Sequence, residues 1–336
     1  MLYPLNFVFW KKVSLFLLTI NFINFDVFAS LAIESENQQQ NPSALIERLT
    51  QAIDKESIEE MRCIKPEGEI LLKQDLDPAI KITVMSALGL VTFLLEDEVQ
   101  GREMINQSMK IFEESHALDQ ALMMRPWFYL GIMNEHQNNY GQAVASFTEC
   151  FFLQQNCFSE DLVYQASVQL HLGKVYQKLC NYHMAFEFVQ QSHDTYQKLL
   201  GQEDAKTYLS KLNIAIIHEN SGNYEEAQKL LSECLDFYQK NKQTMGGKYA
   251  WTKLHLAHVN HKLGFQEKAQ SLYEEAVEIY KNIYAEDGIT VAWSSVHLGD
   301  FYRDIGEFEK LNKLSKRAYL FIKKFIQKIT YVWPGF

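Results

Sequence analysis

Trp127-Phe128-Tyr129-Leu130-Gly131 returns 42 residues later as Gln169-Leu170-His171-Leu172-Gly173, and this return decides the fold. The pairs Leu88-Gly89, Leu130-Gly131, Leu172-Gly173, Ile214-Ala215, Leu256-Ala257 and Leu298-Gly299 all keep the spacing of 42. A second column reads Gly101, Ala143, Ala185, Ala227 and Ala269 before Leu311 breaks the small-residue rule. A third reads Ser108, Cys150, Ser192, Cys234, Ala276 and Ala318. Six copies from Ile82 to Trp333 take up 252 of the 336 residues. A fixed period of this size marks a solenoid, in which each unit buries its apolar face against its neighbours.

Each period holds two helices. Asp77, Asp119, Asp161 and Asp287 stand just before an apolar-periodic run, where an aspartate carboxylate accepts a hydrogen bond from the open first turn. Pro78 follows Asp77 at a position that has no need of a backbone N–H. The first helix is predicted to stop near Asn138, Gly222, Gly264 or Gly306, residues that tolerate the left-handed C-terminal conformation. A second amphipathic run begins at once, with Tyr140, Ala143, Phe147, Cys150 and Phe151 in one copy and Tyr224, Ala227, Leu231 and Cys234 in another. Small residues recur because helices approach to about 8–10 Å only where side chains are short.

These columns resemble the tetratricopeptide repeat. Trp127-x-x-Leu130-Gly131 and Leu172-Gly173-x-x-Tyr176 match its opening, and Ala143-x-x-x-Phe147 matches its second helix. The longer period is similar to that of kinesin light chains, as is the stretch Val291 to Gly299. The proline that usually closes the repeat is replaced by Gln155, Gln197, Gln239 and Lys281, and Glu98 stands where later copies have Tyr140, Tyr182 and Tyr224. The resemblance implies an all-α, right-handed superhelix whose first helices line the inner curve. It implies little about a particular function, since fold and function are separable.

The ends differ from the array. Lys11 and Lys12 precede the apolar run Val13–Phe25, and Val27-Phe28-Ala29 supplies small residues, so residues 1–29 read as a secretory signal peptide, with an uncleaved membrane anchor as the rival. Export or secretion, into a periplasm or beyond the cell, is the expected destination. Beyond this segment no run reads as long and apolar enough to cross a bilayer. Residues 30–42 read as a linker and 43–81 as an N-terminal helical cap: Leu45, Leu49, Ala52 and Ile53 mark a helix that Ile58 and Met61 extend, and Lys65-Pro66-Glu67-Gly68 reads as a turn. Repeats occupy 82–333 and a tail 334–336. Leu320, Phe321, Ile322, Phe325 and Ile326 make the last helix richly apolar; either Tyr331 to Phe336 fold back over it, or it docks a partner or a second copy.

The net charge of −10 argues against nucleic acid and against anionic membrane surfaces. The five cysteines have no framework spacing, and Cys150 and Cys234 fall in the small-residue core column. There is no phosphate loop, Cys-x-x-Cys pair, His-Glu-x-x-His or Gly-x-Ser-x-Gly elbow, so no enzyme and no cofactor is expected. His255, His258 and His261, with His297 one repeat on, step by three residues and drift around the helix, so they read as polar groove residues, not as metal ligands.

Function is expected in the groove. The residues preceding the small-residue pairs form an inward column, His171, Asn213, His255 and His297. Four residues earlier lie Trp251 and Trp293, three later Lys174, His258 and Asp300, and seven later Lys178, Asn220 and Lys262. These offsets make one helical stripe. Its polar centre and indole flank suit the backbone and side chains of a protein or peptide partner. The lysine–asparagine arrangement that clamps a terminal carboxylate in some of these proteins is absent. Trp251 and Trp293 have a second reading, as packing between repeats.

Overall fold

The computed structural model describes residues 42–314 apart from 56, 116–117, 158–160 and 285–288, and among them there are helices and no strand. Residues 1–29 (read as a signal peptide), the expected Asp287 cap and the apolar run from Leu320 to Phe336 lie outside the described residues. The chain divides into two compact units, meeting between Leu179 and Cys180.

The N-terminal unit holds α1 (Pro42–Asp54), α2 (Ile58–Leu71), α3 (Pro78–Leu95), α4 (Glu98–Glu114), α5 (Met124–His136), α6 (Tyr140–Asn156) and α7 (Leu162–Lys178). Two expectations for its start are corrected. Ile58 and Met61 do not extend α1, because Ser57 turns extended and caps a separate helix by accepting from the Glu60 amide. Lys65-Pro66-Glu67-Gly68 is not a turn, because α2 runs straight through Pro66. Packing overrides the proline: Met61, Ile64 and Leu71 are buried, and Arg48 of α1 holds Glu67 at 2.7 Å. Gly68 is needed for contact, not for a bend, since a Cβ there would stand 2.7 Å from the Leu88 methyls.

Helix α3 also corrects the expectation that no later segment could span a bilayer. By length and composition Pro78–Leu95 is sufficient to cross a membrane. Eleven of its 18 residues are buried, and α1, α2, α4 and α5 pack around it. Gly89 and Gly101 are what let α4 approach so closely. A Cβ on Gly89 would lie 2.8 Å from the Gly101 carbonyl, and one on Gly101 would lie 2.5 Å from the Gly89 carbonyl. The aspartate caps form as expected: Asp77 accepts from Ala79, Asp119 from Ala121 and Asp161 from Tyr164. After Asp119 the chain first makes a 3-10 turn, Gln120–Met123, and Pro126 explains it, having no N–H to give an α-type bond back to Leu122.

The C-terminal unit holds α8 (Tyr182–Leu200), α9 (Ala205–Asn220), α10 (Tyr224–Lys240), α11 (Lys242–Lys262), α12 (Gln266–Tyr284) and α13 (Ile289–Asp304). Here α10 packs against α9 and α11, and α12 against α11 and α13. Ala227, Leu231, Cys234 and Tyr238 fill one layer, and Ala269, Tyr273, Ala276 and Tyr280 fill the layer one period on. Lys211 reaches Glu233 at 3.0 Å and Lys253 reaches Glu275 at 2.6 Å, the same pair shifted by one period.

Turns between paired helices repeat as closely. Asn138, Cys180, Gly222, Gly264 and Gly306 all take positive φ, between 59° and 85°. Cys180 is the member that composition does not announce, and a left-handed residue with a Cβ costs about 1–2 kcal/mol. The repeat imposes the conformation there regardless of the residue. The fold class is an all-α helical-repeat solenoid.

Candidate functional site

The expected groove residues fall in both units, and each group is built on successive first helices. In the C-terminal unit α11 carries Trp251, His255 and His258 on successive turns, and α13 carries Trp293 and His297 in register. The two indoles stack, with ring centroids 5.0 Å apart and planes 12° from parallel. His255 lies 4.9 Å from Trp251, and His297 meets Trp293 edge-on at 4.3 Å. Trp251 also rests against the α9–α11 core layer, while Trp293 is 38% exposed. The two readings of these tryptophans therefore divide: Trp251 is shared with the core, and Trp293 is open.

The imidazoles are not a free polar stripe. Glu219 of α9, 5% exposed, receives both His255 Nδ1 on Oε2 at 2.6 Å and His258 Nδ1 on Oε1 at 2.5 Å. Burial pushes the Glu219 carboxyl up, but the two imidazoles outweigh it and hold it down at about 2. Burial pushes His297 down, reinforced by His255 and His258. His261 turns the other way, 3.6 Å from Asp304, and packs its ring on Phe301. Among the described residues no group of three His, Cys, Asp or Glu side chains is placed to hold a metal ion.

The N-terminal unit has the same construction. Glu135 of α5 takes His171 Nδ1 at 2.9 Å and Lys174 Nζ at 3.0 Å, both from α7. Burial again pushes the carboxyl up, and Lys174 and His171 pull it well below the usual carboxylate range. His171 is also packed among Phe128 and Phe147, each 5.2 Å away. Glu135 and Glu219 lie 84 residues apart, two periods, as do His171 and His255, and Lys174 and His258. Sequence reasoning missed both glutamates because they fall off the chosen stripe. The double-period pairing of Glu with His was the signal available.

The remaining expected residues are less concentrated. Asn213 is buried, and its amide donates to the Leu209 carbonyl at 2.8 Å, so it faces no groove. Asp300 pairs with Arg303 at 2.7 Å. Lys178, Asn220 and Lys262 are exposed at the C-terminal ends of α7, α9 and α11. A separate hollow of about 530 Å³, lined by Gln228, Lys253, Asn260 and Glu275, has its polar groups engaged, with Gln228 on Asn260 at 3.0 Å and Lys253 on Glu275.

The family model for the tetratricopeptide repeat matches residues 164–240 and 248–319. These segments are tetratricopeptide repeats. No curated protein matches the chain in sequence. Among solved structures, the chain is similar to a Rap protein complexed with competence and sporulation factor, at 14% identity and TM-score 0.68 over 85% of this chain and 78% of that one. It is similar to NprR in complex with its cognate peptide NprX, at 13% identity and TM-score 0.62 over 88% and 86%. A putative kinesin light chain from Podosopora anserina, with nearly identical TPR-like repeats, matches at 17% identity and TM-score 0.52 over 63% and 100%. At these identities the likeness is one of fold.

Proposed function

We propose that the chain is a non-enzymatic interaction scaffold, and that its C-terminal unit holds a peptide or protein segment along the face carrying Trp251, Trp293 and His297. One observation carries this reading: a tryptophan ladder that is anchored in the core at Trp251 and left open at Trp293. Half-exposed indoles beside hydrogen-bonding groups are the usual centres of binding energy at protein interfaces. Two of the fold neighbours were solved with signalling factors or peptides bound, which supports a ligand of the same chemical class here. Beside the ladder Glu219 is occupied by His255 and His258. Export through residues 1–29 belongs to the same proposal and would place the partner outside the cytoplasm.

The test is a displayed peptide library selected on the full chain and counter-screened on Trp293→Ala. Peptides that bind the parent and lose the variant, with the variant's melting near that of the parent, are the expected result. Binders indifferent to Trp293 and to Trp251 would move the site elsewhere.

A further inference from the structure

The two glutamate clamps repeat one device with differences in burial and in charge. Each seats a carboxylate on one first helix, Glu219 buried and Glu135 partly buried, and closes it with two nitrogen groups, three residues apart, from the next first helix of the same unit. In the N-terminal unit one of those groups is Lys174, an ammonium, the kind of side chain that ordinarily stays charged through the physiological range. In the C-terminal unit both are imidazoles, the side chain whose charge ordinarily changes between about pH 5 and 8. We propose that Glu219, His255 and His258 form a proton-sensitive joint between α9 and α11, tight when the imidazoles are charged and loosened above neutrality, while the Glu135 joint between α5 and α7 stays closed.

The physical reason is the environment of Glu219. At 5% exposure it has little water to fall back on. A charged imidazole supplies its counter-charge; two neutral ones still donate through Nδ1 but leave a buried anion without one. A contact that binds the protonated ring is complete at low pH and is lost as pH rises through the histidine range.

The other groups facing the cluster do not replace the lost charge. From α13 come His297, which burial and the two neighbouring rings push down, and the carboxylates Asp300 and Asp304, which add negative charge. From α12 comes the Tyr273 hydroxyl, which burial pushes up, with Glu219, Asp300 and Asp304 adding to it, so it stays neutral. Arg303 of α13 pairs with Asp300 and Asp304. On α11 itself His261 is turned to Asp304. His255 Nε2 is buried without a hydrogen-bond partner, so nothing but Glu219 holds that ring through its polar atoms. Trp251 lies one turn before His255, so the ladder rides on the joint. The inference does not depend on what the ladder binds.

The test is hydrogen–deuterium exchange of the full chain at about pH 5.5 and about pH 8.5, either side of the histidine range and corrected for intrinsic rates. Peptides from α9 and α11 should exchange about tenfold faster at the higher pH, while those from α5 and α7 hold steady as the internal reference. His258→Lys should abolish the difference in α9 and α11. Lys174→His should create one in α5 and α7, so the pair of variants stands even if one folds poorly. Equal protection of α9 and α11 at both pH values in the parent overturns the proposal, as does a difference that survives His258→Lys.

Discussion

Trp251 and Trp293 stand one period apart and stack with ring centroids 5.0 Å apart, yet Trp251 is partly buried against the core while Trp293 is exposed. Their truncations should therefore differ. Trp293→Ala should weaken partner capture by about 2 kcal/mol or more with little change in melting. Trp251→Ala should weaken capture and also cost about 1–3 kcal/mol of folding stability, because it removes a side chain leaning on the α9–α11 core. Melting curves with affinities for a selected peptide measure both; equal stability losses in the two variants would make the ladder simple packing.

Gly101 and Gly141 both sit near the start of a second helix, and alanine should affect them in opposite ways. At Gly101 the new Cβ meets the Gly89 carbonyl and the Phe93 backbone, atoms that cannot swing aside, so Gly101→Ala should destabilise by about 1–3 kcal/mol. At Gly141 nothing lies within 4 Å, and Gly141→Ala should stabilise by about 0.5–1 kcal/mol by restricting the unfolded chain. Urea midpoints of the two variants check the sign of each.

All five cysteines are free thiols, so their reactivity reports burial directly. Burial pushes the Cys150 and Cys234 thiols up to about 12, while Cys63 and Cys180 are exposed. Iodoacetamide at mildly alkaline pH should label Cys63 and Cys180 at least about a hundredfold faster than the buried pair, read by peptide mass spectrometry. Comparable rates would mean that the core layers open on the labelling timescale.

Glu219 and Glu135 set the acid limit of the fold. Their carboxyls are held below the ordinary value, Glu219 at about 2, so their contribution is present above the unfolded value and is lost as pH falls through the folded one. Melting temperature should hold as pH falls towards about 4.5 and drop steeply between there and about 2. Glu219→Gln should flatten that drop while lowering stability near neutral pH, because one imidazole loses its acceptor and both lose the negative charge. A parent-like slope in the variant would remove Glu219 from the account.

Export makes a separate prediction. Lys11 and Lys12, the apolar run Val13–Phe25 and the small residues Val27-Phe28-Ala29 lead us to expect a mature N-terminus near Ser30. N-terminal sequencing of the protein from its native host checks it, and an intact Met1 would replace secretion with anchoring.

The helix pairs, their order and their turns were legible in the sequence because those features are local. An aspartate cap, a residue that tolerates positive φ and a small side chain at a crossing act within a few residues, and each returns every 42 positions. Even so, Lys65-Pro66-Glu67-Gly68 misled, since its turn chemistry yields to the packing of α2 against α3. The stripe carrying Trp251, His255, Trp293 and His297 followed from helical spacing alone. What those side chains touch did not. Glu219 meets His255 and His258 across 36 and 39 residues, and Asn213, in the same column as His255, turns its amide onto its own helix. Spacing along a helix assigns a residue to a face, whereas burial and pairing depend on the neighbouring helix, so only the tertiary structure decided that the polar stripe closes onto two carboxylates, Glu135 and Glu219.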